Sequence, residues 1–333
     1  MNHLSGIPGR QLVHEESRLD PRLGLFGTCG TPADPWRNNY FLPWLTQKRL
    51  PYFNPVISNG GWTPAHAEIE ADHLAHDGVI VFPVSTMTNG YGSLAEIPFA
   101  IIWALLKGQK LSVFIEMPKE KDPMVRGPRQ MAIDLLQSLI PDFPVAKRCD
   151  SMSDLARWAQ VTLGDLYAYS GSQMSRTTVV RLPDVIKAPL VIALFGTAGD
   201  TWRDPFITLF QKQGIAYYNP VHKDWNSPAH ITKETHHKTG GSAVMICNIT
   251  AGSDGYGACA EAGWLLLFSI LKGTRVIFKI DTFENTPANK DRNRPRQLIK
   301  AHLARLAMEY PGLVNLVDTD LQLYDLSLAL IKD

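Results

Sequence analysis

Short apolar runs that stop at glycine or proline alternate with longer segments of helical period along most of this chain. The runs 23–26 and 190–195 each end at a glycine, as buried parallel strands do. Helical segments follow around 39–48 and 205–213, then second short strands over 51–54 and 216–219. Further helices are predicted over about 65–76 and 229–238, and third strands over 78–83 and 243–248. A glycine loop then opens a helix (94–106; 259–271), and a fourth strand closes the series (111–116; 275–280). Strands alternating with helices predict an α/β chain whose parallel sheets are covered by helices on both faces.

The pattern is written twice. Leu25 to Arg37 (LFGTCGTPADPWR) matches Leu194 to Arg203 (LFGTAGDTWR), and Tyr52 to Val56 (YFNPV) matches Tyr217 to Val221 (YYNPV). A Trp and Pro-Ala-His follow in both (Trp62, Pro64, Ala65 and His66; Trp225, Pro228, Ala229 and His230), then Glu70 and His73 or Glu234 and His237. NGYGSLAE (Asn89 to Glu96) matches DGYGACAE (Asp254 to Glu261), and Pro128-Arg129-Gln130 matches Pro295-Arg296-Gln297. Order and spacing agree over roughly 120 residues, which is the signature of a tandem duplication. The expected layout is an N-terminal arm (1–20), copy one (21–169), a linker (170–188) and copy two (189–333).

Composition narrows the function classes. With 45% hydrophobic and 20% charged residues and a net charge of +1, the chain has full cores and no electrostatic footprint for nucleic acid or an anionic membrane. No apolar stretch approaches a membrane span, and residues 1–20 have no signal-peptide core. Cys29, Cys149, Cys247 and Cys259 form no CxxC pair, so reduced thiols in a cytoplasmic protein are expected. No cofactor is implied: the Gly27-Thr28-x-Gly30 loop is too short for GxGxxG and lacks the lysine of a P-loop.

In parallel α/β sheets ligands bind outside the carboxyl ends of the strands. The FGT, NPV and GYG segments all fall at that edge. Glu96 and Glu261 are predicted two or three residues inside the helix after the glycine loop, where backbone N–H groups and the helix dipole favour an ionised carboxylate. Such a carboxylate can attack an anomeric carbon, or it can simply cap the helix. Glu70 and Glu234 can reach a substrate hydroxyl or a departing base, or lie on a solvated helix face. His66, Glu70 and His73, like His230, Glu234 and His237, share a helix face, yet no further ligand cluster joins them and no metal is expected. Asp254 can hold a proton for a leaving base, whereas Asn89 can only hydrogen-bond; both also suit a turn. Trp36 and Trp202 offer a stacking face for a planar base, beside Arg37 and Arg203, or pack between helix and loop. Arg129 and Arg296 anchor a phosphate or cap a late helix. Gly27, Gly196, Tyr91 and Tyr256 complete the expected lining of the edge.

A strand with an FGT loop, a helix, a second strand, and then G-x-x-x-E opening a helix that ends in Lys-Gly resembles the nucleoside 2-deoxyribosyltransferase family over most of each copy. The resemblance implies two tandem flavodoxin-like, or Rossmann-like, domains. It implies a nucleophilic glutamate that forms a covalent deoxyribosyl-enzyme, at Glu96 and Glu261. The family's loop carboxylate matches Asp254, where copy one has Asn89. Its sugar-contacting helix carboxylate corresponds to Glu70 and Glu234, and its aromatic after the first strand to Phe26 and Phe195. Members of that family are small single domains completed by a neighbouring subunit, so the fused copies suggest an intramolecular pseudo-dimer, with homo-oligomerisation left open.

The expected function is cleavage or transfer at the N-glycosidic bond of a nucleoside or nucleotide, with Glu96, Glu261 and Asp254 as catalytic residues. Hydrolysis of a nucleoside monophosphate or of NAD is the rival chemistry. A non-catalytic nucleotide sensor is the rival of another class.

Overall fold

The computed structural model describes residues 11–15, 19–29, 35–57, 61–119, 122–139, 146–170, 177–182, 190–221 and 228–332. Gly30, Trp225 and most of the expected arm and linker lie outside the described residues. The chain divides into two compact units, one from Gln11 to Arg181 and one from Leu182 onward.

Along the first unit come β1 (Gln11–Glu15), β2 (Asp20–Leu25), α1 (Leu42–Lys48), β3 (Tyr52–Phe53), α2 (Pro64–His76), β4 (Asp77–Val84), α3 (Tyr91–Lys107), β5 (Lys110–Ile115), α4 (Pro123–Leu139), β6 (Ala146–Arg148), α5 (Met152–Ser170) and β7 (Thr177–Arg181). The second unit runs β8 (Val191–Gly196), α6 (Asp204–Gln213), β9 (Ala216–Tyr218), α7 (Pro228–His236), β10 (Val244–Ile249), α8 (Tyr256–Lys272), β11 (Arg275–Ile280), α9 (Lys290–Glu309), β12 (Asn315–Val317) and α10 (Asp320–Lys332). The sheet orders are β3-β2-β4-β5-β6 and β9-β8-β10-β11-β12. Every pairing within them is parallel. Both therefore have the 2-1-3-4-5 order of the flavodoxin-like doubly wound fold.

Helices cover both faces. In the first unit α5 and the segment around α1 bury Leu25, Val81, Phe41, Leu45, Leu155 and Leu163 in one core. In the second, α6 and α10 close over Ile192, Leu194, Ile246, Phe206, Phe210 and Leu323. On the opposite faces lie α3 and α8, buried along nearly their whole length around Trp103 and Trp264. A helix that is apolar all round demands cover on every side.

Part of the expected arm and part of the expected linker are strands: β1 and β7 pair antiparallel, Gln11 opposite Arg181 and Glu15 opposite Thr177. His14 of β1 is buried and sits against Gly108, where a Cβ would stand 2.5 Å from the His14 Cβ. Among the described residues neither strand has a counterpart in copy two, so the repeat could not disclose them.

Glycine sets the carboxyl edge at two points per copy. Gly27 and Gly196 have φ of +102° and +119°, and a Cβ there would lie 2.1 Å from the Pro83 carbonyl oxygen or 2.0 Å from that of Asn248. Only glycine lets the first strand turn so close to its neighbour. The next residue then locks the turn, Thr28 N donating to Pro83 O at 2.9 Å and Thr197 N to Asn248 O at 3.0 Å. The second point is Gly90 and Gly255, left-handed residues directly preceding α3 and α8.

The loop between these points is gathered by one buried arginine. Arg129 from α4 is fully buried and donates to the carbonyls of Val84 (3.2 Å), Ser85 (2.9 Å), Thr88 (2.8 Å), Asn89 (3.3 Å) and Glu116 (2.8 Å). Arg296 from α9 repeats this on Ile249 (3.3 Å), Ser253 (2.8 Å), Asp254 (3.1 Å) and Asp281 (2.8 Å). This corrects both sequence readings: the arginine of the Pro-Arg-Gln motif neither meets a phosphate nor caps a helix. It ties the glycine loop to the ends of two strands. Replacing Arg129 or Arg296 by Met strands several buried carbonyls, and each substitution is expected to destabilise its unit by about 3 kcal/mol or more in urea denaturation. Lysine, which lacks the planar fork, is expected to restore only part of the loss, and a cost below ~1 kcal/mol for the Met variants would refute the clasp.

Candidate active site

The left-handed glycines start α3 and α8 at Tyr91 and Tyr256, three residues earlier than the sequence pattern places them. Glu96 and Glu261 thereby move past the first turn, which holds no acidic residue in either helix. Capping and first-turn N–H groups are both corrected as explanations of these glutamates. Each carboxylate is instead largely buried, Glu96 only 3% exposed and the Glu261 side chain 12% exposed. A buried carboxylate requires a partner.

Copy two supplies one. After α7 the chain makes a wide turn, His237–Gly241, with Thr239 and Gly240 out of helical conformation. This turn presents Lys238 inward, where it is buried. The Lys238 ammonium contacts Glu234 Oε1 at 2.6 Å and also Glu261 Oε1, so the two glutamates converge on one nitrogen. Around them stand Phe195, whose ring centroid lies 5.8 Å from Lys238 Nζ, and Tyr218, whose ring stacks on His237 at 4.1 Å. Burial pushes the Glu261 carboxyl up to about 7; Lys238 opposes that rise and Glu234 adds to it. Burial alone would lower Lys238, but the charges of Glu261 and Glu234 outweigh it and hold the ammonium above its ordinary value. Tyr218 is pushed up to about 12, by burial first and then by Glu234.

Copy one builds the same place differently. Glu70 is 3% exposed and accepts a hydrogen bond from the Trp62 indole at 2.7 Å. Four residues on, where Glu234 is followed by Lys238, Glu70 is followed by Leu74, itself buried. Glu70 does not lie on a solvated helix face, and the Glu234 side chain, 25% exposed, turns to the buried Lys238. The copies thus share the two glutamate positions and differ at the residue four after the first of them, Lys238 against Leu74.

The remaining expected site residues separate into groups. Trp36 is buried in the core, edge-on to Phe41, and its indole donates to Thr28 O at 3.0 Å. Trp202 donates to Thr197 O at 3.2 Å and packs against Phe206. The adjacent arginines grip the same turn: Arg37 reaches Thr28 O (2.7 Å) and Leu25 O (2.8 Å), while Arg203 reaches Thr197 O (2.6 Å), Leu194 O (3.0 Å) and Gly196 O (3.1 Å). These Trp-Arg pairs brace the first loop, and the structure offers no open indole face at Trp36 for a base. Phe26 and Phe195 are fully buried beneath the edge, Phe26 stacked on Phe82 at 5.8 Å. Gly27 and Gly196 act through the close backbone turns already described. Asn89 is exposed, Tyr91 and Tyr256 are half-buried at the helix starts, and Asp254 is ion-paired with Arg292, whose Nε stands 2.5 Å from Oδ1. The pair is partly exposed, with side-chain exposures of 39% for Arg292 and 47% for Asp254, and so is screened by solvent.

His66, His237 and His73 make local contacts within their units. His66 completes a capping box with Thr63, its Nδ1 accepting from Thr63 N at 3.0 Å. His237 bonds Ser242 Oγ at 2.9 Å. His73 stacks on Phe53 at 3.7 Å and lies 3.2 Å from Asp77, which also meets Arg22 at 3.4 Å. Among the described residues no group of three or more His, Cys, Asp or Glu side chains is placed to hold a metal ion, and no helix is long and apolar enough to cross a membrane.

Lys238 is the site residue that motif reading missed. Its spacing from Glu234 is an ordinary helical ion pair, a local signal that was present, but its contact with Glu261 joins separate elements.

No family model matches the chain, and no curated protein matches it. Among solved structures, a point mutant of a Mn-bound periplasmic metal-binding protein from Candidatus Liberibacter asiaticus aligns at 10% identity. The alignment covers 88% of this chain and 99% of that one, at a TM-score of 0.17, a value too low to carry any argument about fold or function.

One pH effect follows from the copy-one cluster. Burial pushes Asp77 up to about 6, against the opposing pull of His73 and Arg22. A folded-state value above the unfolded one means that the folded unit binds the extra proton. Asp77 therefore lowers stability as pH rises from about 4 to about 6. Asp77→Asn is expected to abolish that part of the slope, up to about 3 kcal/mol, in urea denaturation at successive pH values. An unchanged slope would refute the assignment.

Proposed function

We propose that the chain cleaves or transfers the N-glycosidic bond of a nucleoside or nucleotide, with Glu261 and Glu96 as nucleophiles. The observation that carries this reading is the convergence of Glu234 and Glu261 on one ammonium beneath the glycine loop, with the repeat-equivalent pair Glu70 and Glu96 buried in copy one. A pair of close carboxylates is the equipment of glycosidic chemistry through a covalent intermediate. The sheet order supports the location, since doubly wound folds place ligands at this edge.

The bond from C1′ to the base nitrogen breaks as a bond forms between C1′ and a glutamate oxygen. The electron pair leaves with the base, which takes up one proton. That proton is assigned to Asp254 at the loop, beside Arg292, or to solvent. Water, or the nitrogen of a second base, then displaces the glutamate from C1′ and loses a proton in doing so. The neighbouring carboxylate, Glu234 or Glu70, is assigned to sugar hydroxyls. The Trp-Arg pairs are assigned to the walls of the site and contact no base.

The test is incubation of the full chain with nucleosides, deoxynucleosides, their monophosphates and NAD, with and without free adenine, followed by chromatography of released base. Release by the wild type and a loss of about 100-fold or more in Glu96→Gln/Glu261→Gln are expected, because a missing nucleophile removes the covalent route. A new nucleoside formed only with adenine marks a transferase. Equal release by wild type and double variant would overturn the proposal, as would ligand binding without any release, which is the behaviour of a nucleotide sensor.

A further inference from the structure

We infer that Lys238 is a positioning residue of copy two: by touching Glu234 and Glu261 with one ammonium it favours the ionised form of the Glu261 carboxylate. The inference deepens the glycosidic reading and rests on it for its activity readout.

The geometry makes Lys238 the cation in contact. From α7 and the turn after it, Glu261 faces Glu234 and Lys238; from β9 it faces Tyr218, from β10 Cys247, and from the turn after β8 Arg203. Tyr218 and Cys247 are pushed up, chiefly by burial, and so stay neutral near pH 7. Burial lowers Arg203 to about 10, which leaves it charged, but its guanidinium is spent on the carbonyls of Leu194, Gly196 and Thr197. Glu234, which is hydrogen-bonded to Glu261, disfavours a second negative charge beside it. Lys238 alone among these groups both touches Glu261 and carries the opposite charge.

A nucleophilic carboxylate must be ionised when it attacks. Glu261 is buried deeply enough that its neutral form competes near neutral pH, and an opposite charge in contact shifts that balance toward the anion. Copy one has a buried leucine, Leu74, at the corresponding helical position. The lysine is brought inward by a local change in backbone. The interval from glutamate to third strand is one residue longer in copy two, Glu234 to Val244 against Glu70 to Val79, and the extra length is taken up by the wide turn at His237–Gly241.

The experiment places Lys238→Met and Lys238→Arg on a Glu96→Gln background, so that copy two is read alone, and follows base release against pH. The acidic limb of the Met variant is expected to move up by about 1–3 pH units, with a loss of about 10-fold or more at neutral pH. The Arg variant is expected to keep the limb close to that of its parent. In parallel, glutamate labelled at the side-chain carboxyl carbon is titrated by NMR, with Glu261 assigned by its loss in Glu261→Gln. The Glu261 midpoint is expected to rise in Lys238→Met whether or not base is released. If Lys238→Met fails to fold, Glu234→Gln/Lys238→Met, which leaves a single buried carboxylate, is compared with Glu234→Gln and is expected to show the same upward movement. An unmoved Glu261 midpoint overturns the inference. Absence of base release with a moved midpoint overturns the glycosidic reading and leaves the role of Lys238 in place.

Discussion

Each copy depends on a buried guanidinium collecting main-chain carbonyls. A loop that must swing from the end of the third strand into a helix leaves its carbonyls facing inward, away from water. Arg129 and Arg296 satisfy them from late helices far along the chain. The constraint propagates. With the loop held, the left-handed glycine can start the helix at once, and an early start carries Glu96 and Glu261 past the first turn. Their side chains are then largely buried. The placement of the two glutamates therefore begins with an arginine that grips the loop above them.

The copies keep this frame and part company at the charge it encloses. In copy two the enclosed group is an ion triad in which one ammonium serves two carboxylates. In copy one the same two glutamate positions are present, with a tryptophan indole on Glu70 and a leucine where the lysine would be. Burying charge is costly, and each arrangement answers the cost in its own way. The asymmetry also appears at the loop, where Asp254 is drawn to Arg292 and Asn89 lies exposed. Duplication preserved the backbone while the electrostatics diverged, which is what is expected when the fold is set by glycines and a clasp and the function by a few side chains.

Much of the fold was legible in the chain itself. The strand order could not be read from periodicity, but the alternation of strands and helices, the two copies, and the edge where the FGT and GYG segments meet were all plain. Gly27, Gly196, Gly90 and Gly255 announced backbone turns that no other residue takes easily. Less legible were β1 and β7, two short strands without a repeat partner. Trp36 looked like a stacking face and is a buried brace, because an indole N–H beside a sharp turn finds the turn's carbonyl first; half-buried Trp202 makes the same bond. The Pro-Arg-Gln motif stood out by repetition, yet nothing local told what its arginine would hold.

By itself the sequence determined the duplication, the α/β class and the positions of the glutamates relative to their loops. These are set by periodicity and by backbone conformations that few residues can adopt, and both are local. Only the tertiary structure decided that Lys238 meets Glu261, that Asp254 is taken by Arg292, and that Arg129 and Arg296 face carbonyls. Those contacts depend on which side chains a packed sheet brings within a few ångströms of one another. Charges respond to distance and burial in three dimensions, quantities that spacing along a chain does not carry.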